Sequence, residues 1–196
     1  MRREQTRAQL IQAARRVIGR RGIEGTPISA FTDAAGVGKG SFYNHFESRE
    51  DLAAAVYTQI IAELRIEIRM LMDDVDDIAE RIALALRHAL IFAVQNKDIG
   101  QFIIRSQKGN GLFHRHLAPA GMREIKKGIT AGRFRCDNLE LLGALIEGGA
   151  ESVVGGIYAG SLKAETAIPQ FAEAILRLLD IDETEAREIS TRPMPK

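Results

Sequence analysis

Residues 26–46, TPISAFTDAAGVGKGSFYNHF, constrain the fold more tightly than any other stretch of the chain. Ala34, Ala35, Gly36 and Val37 carry the signature of a helix stopped by a glycine in the left-handed region. After that stop the spacing predicts a second helix of under two turns with two unlike faces. Phe42 and Phe46, four residues apart, point one way, and Lys39 and Tyr43, also four apart, point another. So short a helix does not persist alone in water. Apolar partners elsewhere must hold it while Lys, Ser, Tyr, Asn and His side chains face outward.

The flanking sequence supplies those partners. Residues 4–21 predict a helix with Leu10, Ala13, Ala14, Val17 and Ile18 on one stripe and arginines on the rest. Arg20 and Arg21 precede Gly22, cations placed well at a helix end before a glycine stop. Thr26 is expected to cap the next helix, with Pro27 at its first position and Ile28 and Phe31 turned inward. The following helix spans about 39–44. Ser48, with Asp51 three residues on, predicts a capped start to a long helix over 49–72.

Charge divides along the same line. Residues 1–48 carry eight Lys/Arg against four Asp/Glu, and the remainder carries 19 against 22. A basic head of residues 1–48 on an acidic body of residues 49–196 suggests that the head alone meets a polyanion.

The body is also expected to be helical, which makes the fold class all-α. The acidic run Asp73, Asp74, Asp76 and Asp77 reads as a solvated junction whose carboxylates favour the start of a helix over 77–95. That helix is apolar nearly all round and must be surrounded by others. Arg81, His88 and Gln95 share one line on it, either as satisfied structural contacts or as groups reaching a cavity. A short helix over 98–107 follows, then one from 112 to 130 with Pro119 near a kink. Asp137 is expected to cap a helix over 138–160 that carries Gly143, Gly148, Gly149, Gly155 and Gly156, a pattern suited to close approach of helix backbones. The last helix is expected over 164–179, with a charged tail after Ile181 that frays.

Catalytic patterns are missing. The chain has neither a Walker-type phosphate loop nor a GxSxG serine. His114 and His116 flank Arg115 without metal-ligand spacing, and Glu147 with Glu151 reads as a solvated or dimer-edge pair. No enzyme, metal or cofactor is expected. One cysteine, Cys136, excludes an internal disulfide and fits a reducing cytoplasm. No signal segment or membrane span is expected, since the longest apolar run, 82–94, is interrupted and short.

The head points to double-stranded DNA, because the major groove admits one helix whose exposed side chains reach base edges and phosphates. Lys39 suits a guanine edge or a phosphate. Ser41, Asn44 and His45 donate and accept, Tyr43 offers a hydroxyl, and Gly40 removes bulk. Residues 5–55 resemble the DNA-binding head of the TetR (tetracycline repressor) family. Thr26, the AAGVGKGSFYNHF run and the Ser48-Arg49-Glu50-Asp51-Leu52 helix entry carry the resemblance. Gly40, Tyr43, His45 and Phe46 match that family's pattern outright. Phe42 replaces its usual leucine, Arg49 its usual phosphate-binding lysine, and Gly38 its usual Ser or Thr cap.

The resemblance implies DNA contacts from Thr26, Lys39, Gly40, Ser41, Tyr43, Asn44, His45 and Arg49. It further implies a homodimer built through residues 138–160 and 164–179, and a palindromic operator read at heads 34–36 Å apart. A small effector in the body would release the operator. An activator, or a regulator with no ligand gate, is the alternative of the same architecture. His88, Phe92, Phe102, Arg105 and Phe113 suggest an apolar, aromatic or weakly anionic effector.

Overall fold

A computed structural model describes residues 2–23, 25–97, 99–100 and 118–195. Every regular element among them is helical: α1 (Arg2–Arg21), α2 (Ile28–Ala35), α3 (Lys39–Tyr43), α4 (Arg49–Met72), α5 (Ile78–Gln95), α6 (Ala118–Thr130), α7 (Leu139–Tyr158), α8 (Ala164–Leu178) and α9 (Glu183–Thr191). The chain forms two compact units, Met1–Ile60 and Ile61–Lys196. The expected helix over 98–107 lies largely outside the described residues, as do Phe102, Arg105, Phe113, His114 and His116.

In the first unit, α1 packs on α2 and α2 on α3. Leu10, Ala13, Ala14, Ile18, Phe31, Phe42, Phe46 and Leu52 are buried between them. Gly36 closes α2 at φ 66°, and the amides of Gly36 and Val37 donate to Asp33 and Thr32. A side chain there would strain the turn. One expectation fails at the other end of α2. Pro27, not Thr26, is the cap residue, with no side-chain hydrogen bond, and the helix begins at Ile28. Thr26 is 4% exposed, and its hydroxyl donates to Gly22 O at 2.9 Å. It ties off the loop from α1 instead of capping α2.

The second unit is organised on α5, which touches α6, α7, α8 and α9. Asp77 caps it by accepting the Ala79 N–H at 3.1 Å. Leu142, Ile175, Leu176, Leu179, Ala186 and Ile189 converge with Ile82 and Ala83 in the main core. A second cluster joins Leu90 and Ala93 to Ala150, Val154 and Ile168. The cap of α7 is Asn138, whose side chain accepts from Leu141 N, so it falls one residue after the expected Asp137.

The glycines of α7 need a finer account than close approach throughout. A Cβ on Gly149 would meet Phe171 of α8 at 2.6 Å, so the two helices do close there. One on Gly156 would meet Leu162, where the chain turns back past the end of α7. Gly143, Gly148 and Gly155 face open space.

The charged tail does not fray. Asp182 accepts from the amides of Thr184 and Glu185, and α9 follows with Ala186, Ile189 and Ser190 buried. Two arginine nodes fasten it. Arg133 reaches Glu185 at 2.6 Å and Asp77 at 3.2 Å. Arg192 reaches Glu80 at 2.6 Å and Glu188 at 3.0 Å, while its carbonyl accepts from buried Arg87 at 2.7 Å. The overlooked signal was the Asp182 cap followed by apolar residues at helical spacing.

Candidate nucleic-acid interface and body cavity

The head presents α3 as the sequence predicts, with the Phe42 and Phe46 rings buried beneath it, tilted at 44° with centroids 5.8 Å apart. Tyr43 meets Phe42 edge-on at 5.3 Å yet remains 58% exposed, leaving its hydroxyl outward. Lys39, Gly40 and Asn44 are exposed, and Ser41 and His45 half-buried. Gly38 precedes the helix in extended conformation with no side-chain cap, and Ser41 N–H bonds to its carbonyl at 2.9 Å.

Two roles were not legible in the sequence. Arg3 donates to the Asn44 carbonyl at 3.3 Å, and the Arg7 guanidinium lies 5.1 Å from the centre of the Phe46 ring. The α1 arginines therefore hold the end of α3, one by a hydrogen bond and one by a cation–π contact. Arg16, Arg20 and Arg21 line a groove against Ser29 and Asp33 of α2, a second basic surface on the head. Arg49 is turned to its neighbour Glu50 at 2.6 Å, and that bond holds the Glu50 carboxyl below the usual range. Ser48 Oγ accepts from Asp51 N, and Asp51 answers by accepting from Glu47 N, so the start of α4 is closed in both directions.

The second unit forms a partly open cavity of about 380 Å³ between α4, α5, α6 and α7. Ile82, Ala85, Leu86 and Ala89 of α5 form one wall; Met122, Ile125 and Ile146 face it. Arg81 enters the lining with Glu124, at 3.1 Å. Of the expected effector residues, neither His88 nor Phe92 is among the described lining. His88 is instead drawn to Glu67 at 3.3 Å. The polar line on α5 thus divides: Arg81 reaches the cavity, His88 meets α4, and Gln95 is exposed. No group of three metal-ligating side chains occurs among the described residues. No helix there is long and apolar enough to cross a membrane.

Comparison with known proteins decides the family. Residues 10–56 match the model for bacterial regulatory proteins of the tetR family, and residues 77–192 match the tetracyclin repressor-like C-terminal domain. The chain belongs to the TetR family. It is a DNA-binding transcriptional regulator with a helix-turn-helix head. The structure of RolR bound to resorcinol is similar over 100% of this chain and 97% of that one, at 32% identity and a TM-score of 0.87. A TetR-family regulator from Pectobacterium atrosepticum covers 91% of this chain and 94% of its own, at 27% identity and a TM-score of 0.71. The repressor DhaR of Mycobacterium sp. (strain GP1) is 36% identical over 74 residues. That match spans 38% of this chain and 37% of DhaR, so it covers little more than a third of the relative's length.

Proposed function

We infer that this TetR-family protein is a ligand-responsive repressor. A homodimer places two α3 helices in successive major grooves of a palindromic operator, and a small effector in the body cavity lowers its affinity for DNA. The observation that carries the reading is a polar, exposed recognition helix in one unit and a partly open, largely apolar cavity in the other.

Lys39, Gly40, Ser41, Tyr43, Asn44 and His45 are the proposed contacts to base edges and phosphates. Arg49 joins them if it exchanges Glu50 for a phosphate. The buried Thr26 side chain acts through the loop that it fastens. Dimerisation is assigned to α7 and α8. Leu141 is 56% exposed, Leu145 45% and Leu178 50%, an apolar surface that a second copy would cover. Gly148 and Gly155, open on the same helix, permit the close approach that the monomer does not use. The small aromatic ligand of RolR supports a compact effector here, and the cavity volume sits at the lower end for ligand sites. An effector acts only by binding more tightly to the form that fits DNA poorly.

Fluorescence anisotropy with a duplex from upstream of the protein's own gene, across a salt series, tests the reading. Specific binding should fall steeply with salt, because neutralised phosphates release counterions. Equal affinity for unrelated duplexes at every salt concentration would remove it. Sedimentation equilibrium of Leu145→Glu should show monomer where the parent protein is dimeric.

A further inference from the structure

We propose that the cavity selects small, ring-sized molecules bearing a hydroxyl group, and that the Arg81–Glu124 pair reads that hydroxyl. This rests on the effector reading above and names the chemistry of its ligand. Arg81 comes from α5 and Glu124 from α6, so the pair joins two helices across the cavity wall. Its geometry is incomplete. Arg81 Nη2 lies 3.1 Å from Glu124 Oε2 but is not aimed along it. Oε2 accepts no hydrogen bond and Arg81 Nε donates none among the described residues, though both atoms are closed to water. Lys127 holds the other carboxylate oxygen at 2.6 Å. Buried polar groups nearly always find partners, so two orphans on one ion pair mark a place where something else fits.

The unmet demand is one donor and one acceptor, side by side. A hydroxyl supplies both from a single oxygen, accepting from Arg81 N–H and donating to Glu124 Oε2. A carboxylate only accepts. The cations of the lining, Arg65, Arg69, Arg81, Arg123 and Lys127, would draw it in. At the pair, however, it leaves Glu124 Oε2 without a donor and sets a second negative charge beside it. An ammonium only donates: it leaves Arg81 Nε without an acceptor and would face Arg65, Arg69, Arg81, Arg123 and Lys127. A neutral hydroxyl alone satisfies both atoms. The rest of the molecule must be apolar and compact, because Ile82, Leu86, Ile125 and Ile146 bound a space of about 380 Å³. Since the two atoms are closed in the free protein, the hydroxyl reaches them by parting the pair. That couples ligand entry to the α5–α6 junction.

The test is calorimetric titration of the full-length protein with three compounds of one shape: resorcinol, m-xylene and isophthalate. Resorcinol should bind, and m-xylene should bind at least about 100-fold more weakly, as expected where a site's polar groups are left unpaired. Isophthalate should bind more weakly than resorcinol, because it leaves Glu124 Oε2 without a donor. In Arg81→Met/Glu124→Leu the demand is removed from both sides, and the two neutral compounds should bind within about threefold of each other. The wild-type panel decides the matter even if that variant fails to fold. Equal binding of resorcinol and m-xylene, stronger binding of isophthalate, or no binding by any of the three would overturn the hydroxyl assignment. Operator binding measured alongside separates the readings: intact specific binding with a failed panel removes this ligand class and leaves the regulator standing.

Discussion

The α3 and α9 helices are both short, and they are stabilised in opposite ways. The five residues of α3 have a bare glycine at the start, aromatic rings beneath and two α1 arginines at the far end. The nine of α9 have a doubly accepting aspartate cap, a buried apolar face and two arginine nodes that tie Glu185 and Glu188 to Asp77 and Glu80 at the start of α5. One helix keeps its polar side chains for a partner; the other spends nearly all of them on its own fold. Substitutions on the outer face of α3 should therefore alter binding without altering stability, and those at α9 should alter stability first.

The largest separation comes from beneath α3. Phe42→Ala removes a fully buried ring and should cost the head about 3–5 kcal/mol. Hydrogen exchange should show α1–α3 losing protection while α8 keeps its own; uniform loss across both units would break the contrast. Arg133→Ala comes next. It strands Asp77 and Glu185 together and should cost about 1–3 kcal/mol, read as a lower melting temperature and faster exchange in α9.

The same node predicts an acid limb. Burial pushes the Asp77 carboxyl upward, but hydrogen bonds from Arg133 and the Ala79 amide outweigh it and hold the carboxyl below its ordinary value. A depressed folded value contributes stability above the unfolded pKa near 4 and loses it as pH falls through the folded one. Melting temperature should drop below about pH 4, and Asp77→Asn should flatten that drop.

On the outer face, Lys39→Ala should weaken operator binding roughly tenfold and lower the salt slope by about one, with the melting temperature nearly unchanged. A substantial loss of stability would mean that Lys39 serves the fold. Gly38→Ser is the smallest change: restoring a side-chain cap to α3 should raise head stability by only a few tenths of a kcal/mol.

How much was legible in the sequence follows the range of the interactions. The head's elements are set by neighbours three or four residues apart, so the Gly36 stop, the Ser48 cap and the split faces of α3 were visible. Thr26 misled because a threonine before a proline satisfies the local rule for a cap, while its hydroxyl was taken by a carbonyl four residues back. In the body, the packing of α5 among other helices was visible from its composition. Which of its polar residues met the cavity was not, because Arg81 and His88 share one line and differ only in the helix opposite them. The α9 helix was missed because its charged residues look solvated until Arg133 and Glu80, distant in sequence, are brought beside them.

The arginine clamp on the last segment also bears on how the molecule assembles. Arg87 and Glu80 meet Arg192 across 105 and 112 residues of chain, whereas the head's Arg3–Asn44 bond spans 41. Contacts that close long loops form late. The apolar α5 gains its first covering from α6 and α7, and its covering is complete only when α8 and α9 have been made. During synthesis the residues of the head emerge before those that complete the cover of α5, so the body is exposed to misfolding for longer than the DNA reader.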